Sequence, residues 1–575
     1  MKLGAARIHT AFSVFRLEFI ISSMAFRSLA AAGAVVSAAA YVLWHQRKRW
    51  VRIPGQGLLI GAAEDGVIRF LGVPFASIVD KRWQPPGRPE SWVFPRRNPT
   101  KLWRCPQPCI GWNAAGGKIV LKNHELHEDE AKCLNLNVWT PSAAGKSRPI
   151  IVYIHGGAGK LLSPHDDDFN GEHLARRHGM VYVSLSYRLG ALGFLAHPAL
   201  SAEDAAAAAA GTGEVAGSGN YAMLDLLAGL RWVQAHGARF GGDVGNVTIW
   251  GLSTGAQLVA TLLVCPLAAG LFHRAMIQSC VDLTNVRELH GKHEVWQHKT
   301  AEEWGRSLAK VLGCERADTT EELEAIRRVE VSRLIEKSWD PAATDMYEPC
   351  VDRRDGLRVV KPLTSLEALT HGKFHRVPVM IGVTEHDGLG RMELEWTMLE
   401  ECSTPAQYRA LLARKFGAAR VEAALAQYPA SSPQEVDAAL GAISNDLWYF
   451  MGSWQMADLL SQSQRARDVY FYRLTEPGRT NHGGDTPMWN AAKWPQDKPL
   501  SVAANTAMAF LCNFAQSGDP NGPGLPRWEA HTKEAPRYME IGPSLGMRGR
   551  SAASTERYAL VGEWIRSQCR AQTVV

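Results

Sequence analysis

The stretch NVTIWGLSTGAQLVATLLVC, Asn246 to Cys265, constrains this 575-residue chain more than any other. Val247, Thr248, Ile249 and Trp250 are β-branched or aromatic and predict a strand. The run from Ser253 to Cys265 predicts a helix that opens at the serine. Between them, Gly251-Leu252-Ser253-Thr254-Gly255 sets one glycine two residues before the serine and one two residues after. A strand must then turn into a helix within a few residues, with the serine at the tip on strained backbone. The flanking positions must be small so that the chains can pass. A helix N-terminus at the serine also aims amide donors at negative charge developing beside it. Ser253 is therefore a candidate nucleophile on a strand–turn–helix unit.

The rest of the chain repeats this alternation. RPIIVYIHGG, MVYVSLSYRLG, HRAMIQS, RVPVMIGV and VYFYRL read as buried strands. YAMLDLLAGLRWVQAH carries Met223, Leu226, Leu227, Leu230 and Val233 on one helical face. Such alternation predicts an α/β fold, a large and mostly parallel sheet with helices on both faces. The low-complexity segment Glu203–Gly219 reads as a mobile surface insertion, or in part as a helix end over Ala205–Ala210. No repeat and no second boundary follows residue 50, so 51–575 reads as a single catalytic domain behind a 1–50 targeting or anchor segment.

That first segment explains the charge. Lys2, Arg7, Arg16, Arg27, Arg47, Lys48 and Arg49 against Glu18 account for the whole formal net charge of +6. The remainder is balanced and gives no argument for a nucleic-acid partner. Leu29–Trp44 is an Ala-rich apolar run of sixteen residues followed by HQRKRW. It reads as a signal peptide or a short signal anchor, with membrane association through residues 29–44. A cluster of basic residues after such a run favours a retained, cytoplasm-facing end. The expected location is the secretory pathway, secreted or membrane-anchored, with a mitochondrial presequence as the lesser alternative. The ten cysteines form neither a dense disulfide scaffold nor a zinc pattern, so no metal and no cofactor is expected.

A serine nucleophile needs an oxyanion hole, a base and an orienting acid. YIHGGAGK, Tyr153 to Lys160, is a glycine-rich turn after a strand. Its Gly157 and Ala158 amides, with that of Thr254, are the candidate oxyanion donors. Elbow-type hydrolases order their triad serine, acid, histidine. TNHGGDTPMW places His482 on a polar, glycine-rich loop after VYFYRL, which suits the base. The acid is Glu385 or Asp387 in VPVMIGVTEHDGLG, and spacing alone does not decide between them. The cluster Trp448-Tyr449-Phe450 reads as core rather than acyl pocket.

With these residues in place, the chain resembles the type-B carboxylesterases, the family that includes cholinesterases and fungal lipases. FLGVPFA, EDEAKCLNLNVWTP, YIHGGAG, YRLGALGFL, FGGDVGNVTIWGLSTGA and NFAQSGDPNGPGLPRW match its motifs in order, from about Arg52 to Trp564. The resemblance implies an α/β-hydrolase fold and hydrolysis of small-molecule or lipid carboxylic esters through an acyl-enzyme on Ser253. It implies His482 as general base and then acid. The family's acid directly precedes a glycine, which selects Asp387 before Gly388, where many members have glutamate. It further implies a Cys105–Cys133 disulfide, with Cys109 as the rival partner.

The departures are specific. Leu252 stands where the family usually has glutamate, and Thr254 replaces alanine beside the oxyanion. Ala222 and Leu226 replace glycine and glutamine, and EDEAKC carries extra residues. They point to altered substrate choice or rate. Two other functions fit the same fold: a non-catalytic cholinesterase-like binding protein, and a membrane-associated lipase or acyltransferase. The intact Ser253, Asp387 and His482 argue against the first.

Overall fold

The alternation of strands and helices resolves into a mixed sheet of eleven strands: β1 (Ala62–Glu64), β2 (Val67–Pro74), β3 (Asn135–Thr140), β4 (Arg148–Ile154), β5 (Val181–Leu185), β6 (Gly242–Leu252), β7 (Arg274–Gln278), β8 (Val379–Thr384), β9 (Val469–Leu474), β10 (Arg537–Ile541) and β11 (Gly546–Gly549). The structure, a computed structural model, describes residues 49–563 except 79–80, 109, 113–117, 121–125, 142–146, 213–214, 281–282, 284–286, 291–298, 341, 344–346, 389–401, 464–467, 493, 495–498 and 550–554. The apolar run 29–44 and Cys109 therefore lie outside the described residues.

In space the strands run β11-β10-β9-β8-β7-β6-β4-β5-β3-β2-β1. Neighbours from β5 across to β10 are parallel. At the two edges β3, β2 and β1 on one side, and β11 on the other, turn antiparallel. The expected mostly parallel sheet is thus found, with antiparallel ends that the strand runs did not announce. The exchange of β4 and β5 makes β4 a central strand, paired to β5 and to β6 in parallel register.

Side-chain alternation assigns each face of the sheet its own core. Ile150, Val152, Ile154, Val247, Ile249, Ile381 and Phe471 point to one side, where α3 (Tyr221–His236) and α4 (Thr254–Val264) bring Leu226, Leu230, Leu258 and Leu262. Tyr153, Tyr182, Trp250, Met276, Met380 and Tyr472 point to the other. There α1 (Glu172–His178) and α5 (Val502–Ser517) bring Leu174, Met508, Leu511 and Phe514. All these residues are almost fully buried.

Two expectations need amendment. The alanine-rich segment is ordered at its start: α2 (Pro198–Ala209) takes in Ala205–Ala209. The carboxylate of Asp204 then accepts the amides of Gly217 and Ser218, tying the far end of the segment back to the helix. The expected Cys105–Cys133 disulfide is not formed. Both are buried free thiols held against one another. Each sulfur has a partner of its own: Cys105 accepts the Leu189 amide at 3.2 Å, and Cys133 donates to the Glu130 carbonyl at 3.5 Å.

Candidate active site

The turn after β6 is built by what its glycines leave out. Ser253 has φ 58° and ψ −124°, a strained conformation for a residue with a side chain. A Cβ on Gly251 would lie 2.1 Å from the Gly255 carbonyl oxygen, and one on Gly255 would lie 2.1 Å from that of Ile154. Only glycine fits either position, which accounts for the two glycines around Ser253. The Ser253 amide donates to the Gln278 carbonyl, and its own carbonyl accepts the Gln257 amide one helical turn on. Thr254 is the first residue of α4, so its N–H has no acceptor within the helix.

The glycine-rich turn after β4 lies against this elbow. A Cβ on Gly156 would meet the Leu252 carbonyl oxygen at 2.6 Å and the Ser253 Cβ at 3.0 Å. Gly157, Ala158 and Gly159 follow with φ of 98°, 55° and 67°. Ala158 thus adopts the left-handed conformation that its neighbours adopt without cost. Among the described residues, no backbone hydrogen bond uses the amides of Gly157 or Ala158, while the Gly157 carbonyl accepts from Lys160 and Leu161. His155 stacks on Tyr187 with ring centroids 4.5 Å apart, and the tyrosine hydroxyl donates to the His155 carbonyl. Burial lowers the His155 pKa to about 4, so the ring that braces this turn is neutral at physiological pH.

The acid and the histidine meet on the next two loops. Asp387, fully buried beyond the end of β8, accepts from His482 Nδ1 at 2.6 Å. Its other oxygen accepts the Ser279 hydroxyl at 2.5 Å and the Thr384 amide at 3.0 Å. The two loops are also sewn together by backbone, since the His386 amide donates to the Thr480 carbonyl. Glu385 faces the other way, toward Arg473 at 3.4 Å. The histidine loop abuts the elbow through Leu252: a Cβ on Gly483 would lie 3.2 Å from a Leu252 methyl. The Tyr449 ring packs 4.8 Å from the His482 ring, so one member of the Trp448–Phe450 cluster belongs to this site and not to the core alone.

Two residues here escaped the sequence reading. Ser279, in left-handed conformation at φ 57°, follows β7 and holds the far oxygen of Asp387. Asp485, three residues after His482, is a second fully buried carboxylate. It accepts from the Gln278 amide, from Tyr472 at 3.0 Å and from Trp489 at 3.4 Å. Burial, reinforced by the charge of Asp387, raises its pKa to about 6. The signal for Asp485 was its place in HGGD beside the histidine. Ser279 had only the strand RAMIQ before it. No group of three or more His, Cys, Asp or Glu among the described residues is arranged to hold a metal ion.

A parallel sheet whose strands β4, β6, β7, β8 and β9 deliver, beyond their C-terminal ends, a glycine turn, a serine elbow and a carboxylate–histidine pair defines an α/β-hydrolase. The comparisons agree. The carboxylesterase family model matches residues 48–560, and the chain belongs to that family. It is similar to the fumonisin B1 esterase of Sphingopyxis macrogoltabida, at 31% identity over 85% of each chain. It is also similar to carboxylesterase 3 of Homo sapiens, at 28% over 86% of each. Among solved structures, a carboxylesterase of Geobacillus stearothermophilus superposes with a TM-score of 0.69 at 26% identity, covering 89% of this chain and 100% of its own. A PNB esterase with a TM-score of 0.71 and 23% identity, covering 89% and 99%, shares the fold. The chain is a carboxylic-ester hydrolase of the serine type, acting on small-molecule esters. Neither the binding-protein nor the lipase alternative is favoured by these relatives.

Proposed function

We propose that Ser253, His482 and Asp387 form the catalytic triad, and that the amides of Gly157, Ala158 and Thr254 form the oxyanion hole. In acylation, His482 Nε2 takes the Ser253 hydroxyl proton as the oxygen attacks the ester carbonyl. The three amides receive the negative charge of the tetrahedral intermediate, each donor being worth about 3 kcal/mol there. The imidazolium returns the proton to the departing alkoxide, leaving an acyl-enzyme and an alcohol. Water, deprotonated by the same nitrogen, then releases the acid and restores Ser253. Asp387 holds the Nδ1–H tautomer and stabilises the imidazolium.

The observation that carries this reading is the 2.6 Å bond between His482 Nδ1 and a fully buried Asp387, with the histidine loop packed through Gly483 against the residue preceding Ser253. A fluorophosphonate probe tests it. The folded protein is expected to label once, at Ser253, and Ser253→Ala to lose both labelling and p-nitrophenyl acetate hydrolysis, by about 10⁴-fold or more. Folded wild type that does not label would overturn the assignment.

Residues 51–575 are read as one catalytic domain, and 1–50 as the segment that directs it to the secretory pathway. N-terminal sequencing of purified material, with fractionation, tests that location. The acyl preference follows from a p-nitrophenyl series from acetate to palmitate, in which a lipase would show a rate jump at the solubility limit.

A further inference from the structure

Among the described residues, four large apolar side chains are exposed: Trp50, Val93, Phe94 and Val502. Val93 and Phe94 are adjacent and are the most exposed of the four, at 93% and 83%. Scattered exposed hydrophobics are ordinary, but a neighbouring pair held out by a braced loop is not. The brace is Trp92. Its amide donates to the Gln56 carbonyl at 2.7 Å and its indole N–H to the Leu58 carbonyl at 3.0 Å. The missing side chain of Gly57 makes room for the indole, since a Cβ there would sit 2.4 Å from the ring nitrogen. Pro95 follows, and the chain then enters the strand Arg96–Arg97 beside Gly57–Ile60. Val93 and Phe94 are therefore displayed from a fixed base.

The surroundings are cationic. Arg52 and Arg97, on strands of the small sheet, and Arg88 and Lys101, flanking the loop in sequence, are exposed. Arg96 lies over the Trp92 ring at 5.4 Å and reaches Glu90 at 3.5 Å. Glu90 is the sole acid from residue 81 to residue 104. The small sheet that carries the loop also takes in the strand Trp50–Ile53. In sequence that strand follows directly on the basic cluster Arg47-Lys48-Arg49 and the apolar run Leu29–Trp44.

We propose that the Val93–Phe94 loop and its arginine and lysine rim form a docking surface for an anionic lipid bilayer. An apolar tip that enters the headgroup boundary, ringed by cations that meet anionic lipid, is the composition such surfaces need. Only six residues of chain lie between Trp44 and Val51. The apolar run and the loop are two membrane signals in one chain, and two weak signals together anchor where one does not.

The test uses the full chain. A Phe94→Cys variant labelled with the fluorophore NBD is mixed with vesicles of phosphatidylcholine alone, and with vesicles holding three parts in ten phosphatidylserine. Labelled wild type and labelled Val502→Cys are the controls. With phosphatidylserine vesicles the probe at 94 is expected to shift to the blue and brighten about threefold, while that at 502 stays unchanged. The response should fall by more than half at 0.5 M NaCl. Arg97→Glu combined with Lys101→Glu should raise the lipid concentration at half-response by about fivefold or more. Hydrolysis of soluble p-nitrophenyl acetate should not change in any of these variants. A probe at 94 that stays silent, whether or not the protein sediments with vesicles, overturns the proposal. So does self-association in sedimentation velocity that Phe94→Asp abolishes, which would make a second copy the occupant.

Discussion

At the scale of single residues, the candidate site turns on which groups hold others in place. Ser279 is fully buried, and its hydroxyl donates to the Asp387 oxygen that does not bond His482. It fixes the plane of that carboxylate and so the aim of the imidazole. Ser279→Ala is expected to lower kcat about tenfold with KM unchanged, a loss of one hydrogen bond to a charged group. Steady-state kinetics on a soluble ester check the split. Asp485 makes a different kind of contribution. Its folded pKa of about 6 lies above the unfolded value of about 3.9, so folding binds a proton between these limits. Its stabilising effect is complete below about pH 4 and is lost as the pH rises through 6. Buried His155, lowered to about 4, has the opposite sign and destabilises the fold as the pH falls below 6.5. Asp485→Asn removes only the first effect. Thermal melts should therefore show the variant losing ground to wild type as the pH drops from 7 to 4.5, by about 2 kcal/mol. A constant difference across that range would contradict it.

At the scale of elements, the strand–elbow–helix unit was legible because its constraint is local. Gly251 leaves room for the Gly255 carbonyl and Gly255 for that of Ile154, and the pentapeptide states that in five letters. Gly251→Ala would drive a methyl to 2.1 Å from the Gly255 oxygen. The turn must open, at a cost of about 3 kcal/mol or more. A lowered denaturant midpoint at unchanged slope, together with lost fluorophosphonate labelling, is the expected result. Ser279 was illegible for the converse reason. It reaches Asp387 only because β7 and β8 pair side by side with Gln278 opposite Gly382, a relation 108 residues long in sequence. The alanine run misled in a similar way. Its composition says surface, which the exposed alanines of α2 are, but the Asp204 carboxylate that fastens its far end lies in the same segment and carries no periodic signature.

At the scale of the molecule, strand runs and their alternation revealed the sheet and its two covered faces, but not the order of pairing. That order, with β4 between β5 and β6 and antiparallel strands closing both edges, depends on helix crossovers that no short window contains. One buried tie crosses the layers beside the site. Arg188, after β5, forms a two-pronged ion pair with Asp225 of α3 at 2.7 and 2.8 Å, and reaches the Gln84 carbonyl. Removing one partner leaves a buried charge, so Arg188→Met is expected to destabilise by about 3–5 kcal/mol, read as a lower unfolding midpoint. Restoring neutrality with Arg188→Met and Asp225→Leu together should recover much of that loss.

The leucine before the nucleophile gives the molecule a further property. Where relatives are expected to carry an ionisable glutamate, Leu252 seats a methyl on Gly483, beside His482. The elbow and the histidine loop are thereby clamped by dispersion and by exclusion of solvent, forces that no counter-ion screens and no proton abolishes. The approach of the histidine loop to the elbow can then persist in brine or in mild acid, where a hinge made of charges would slacken.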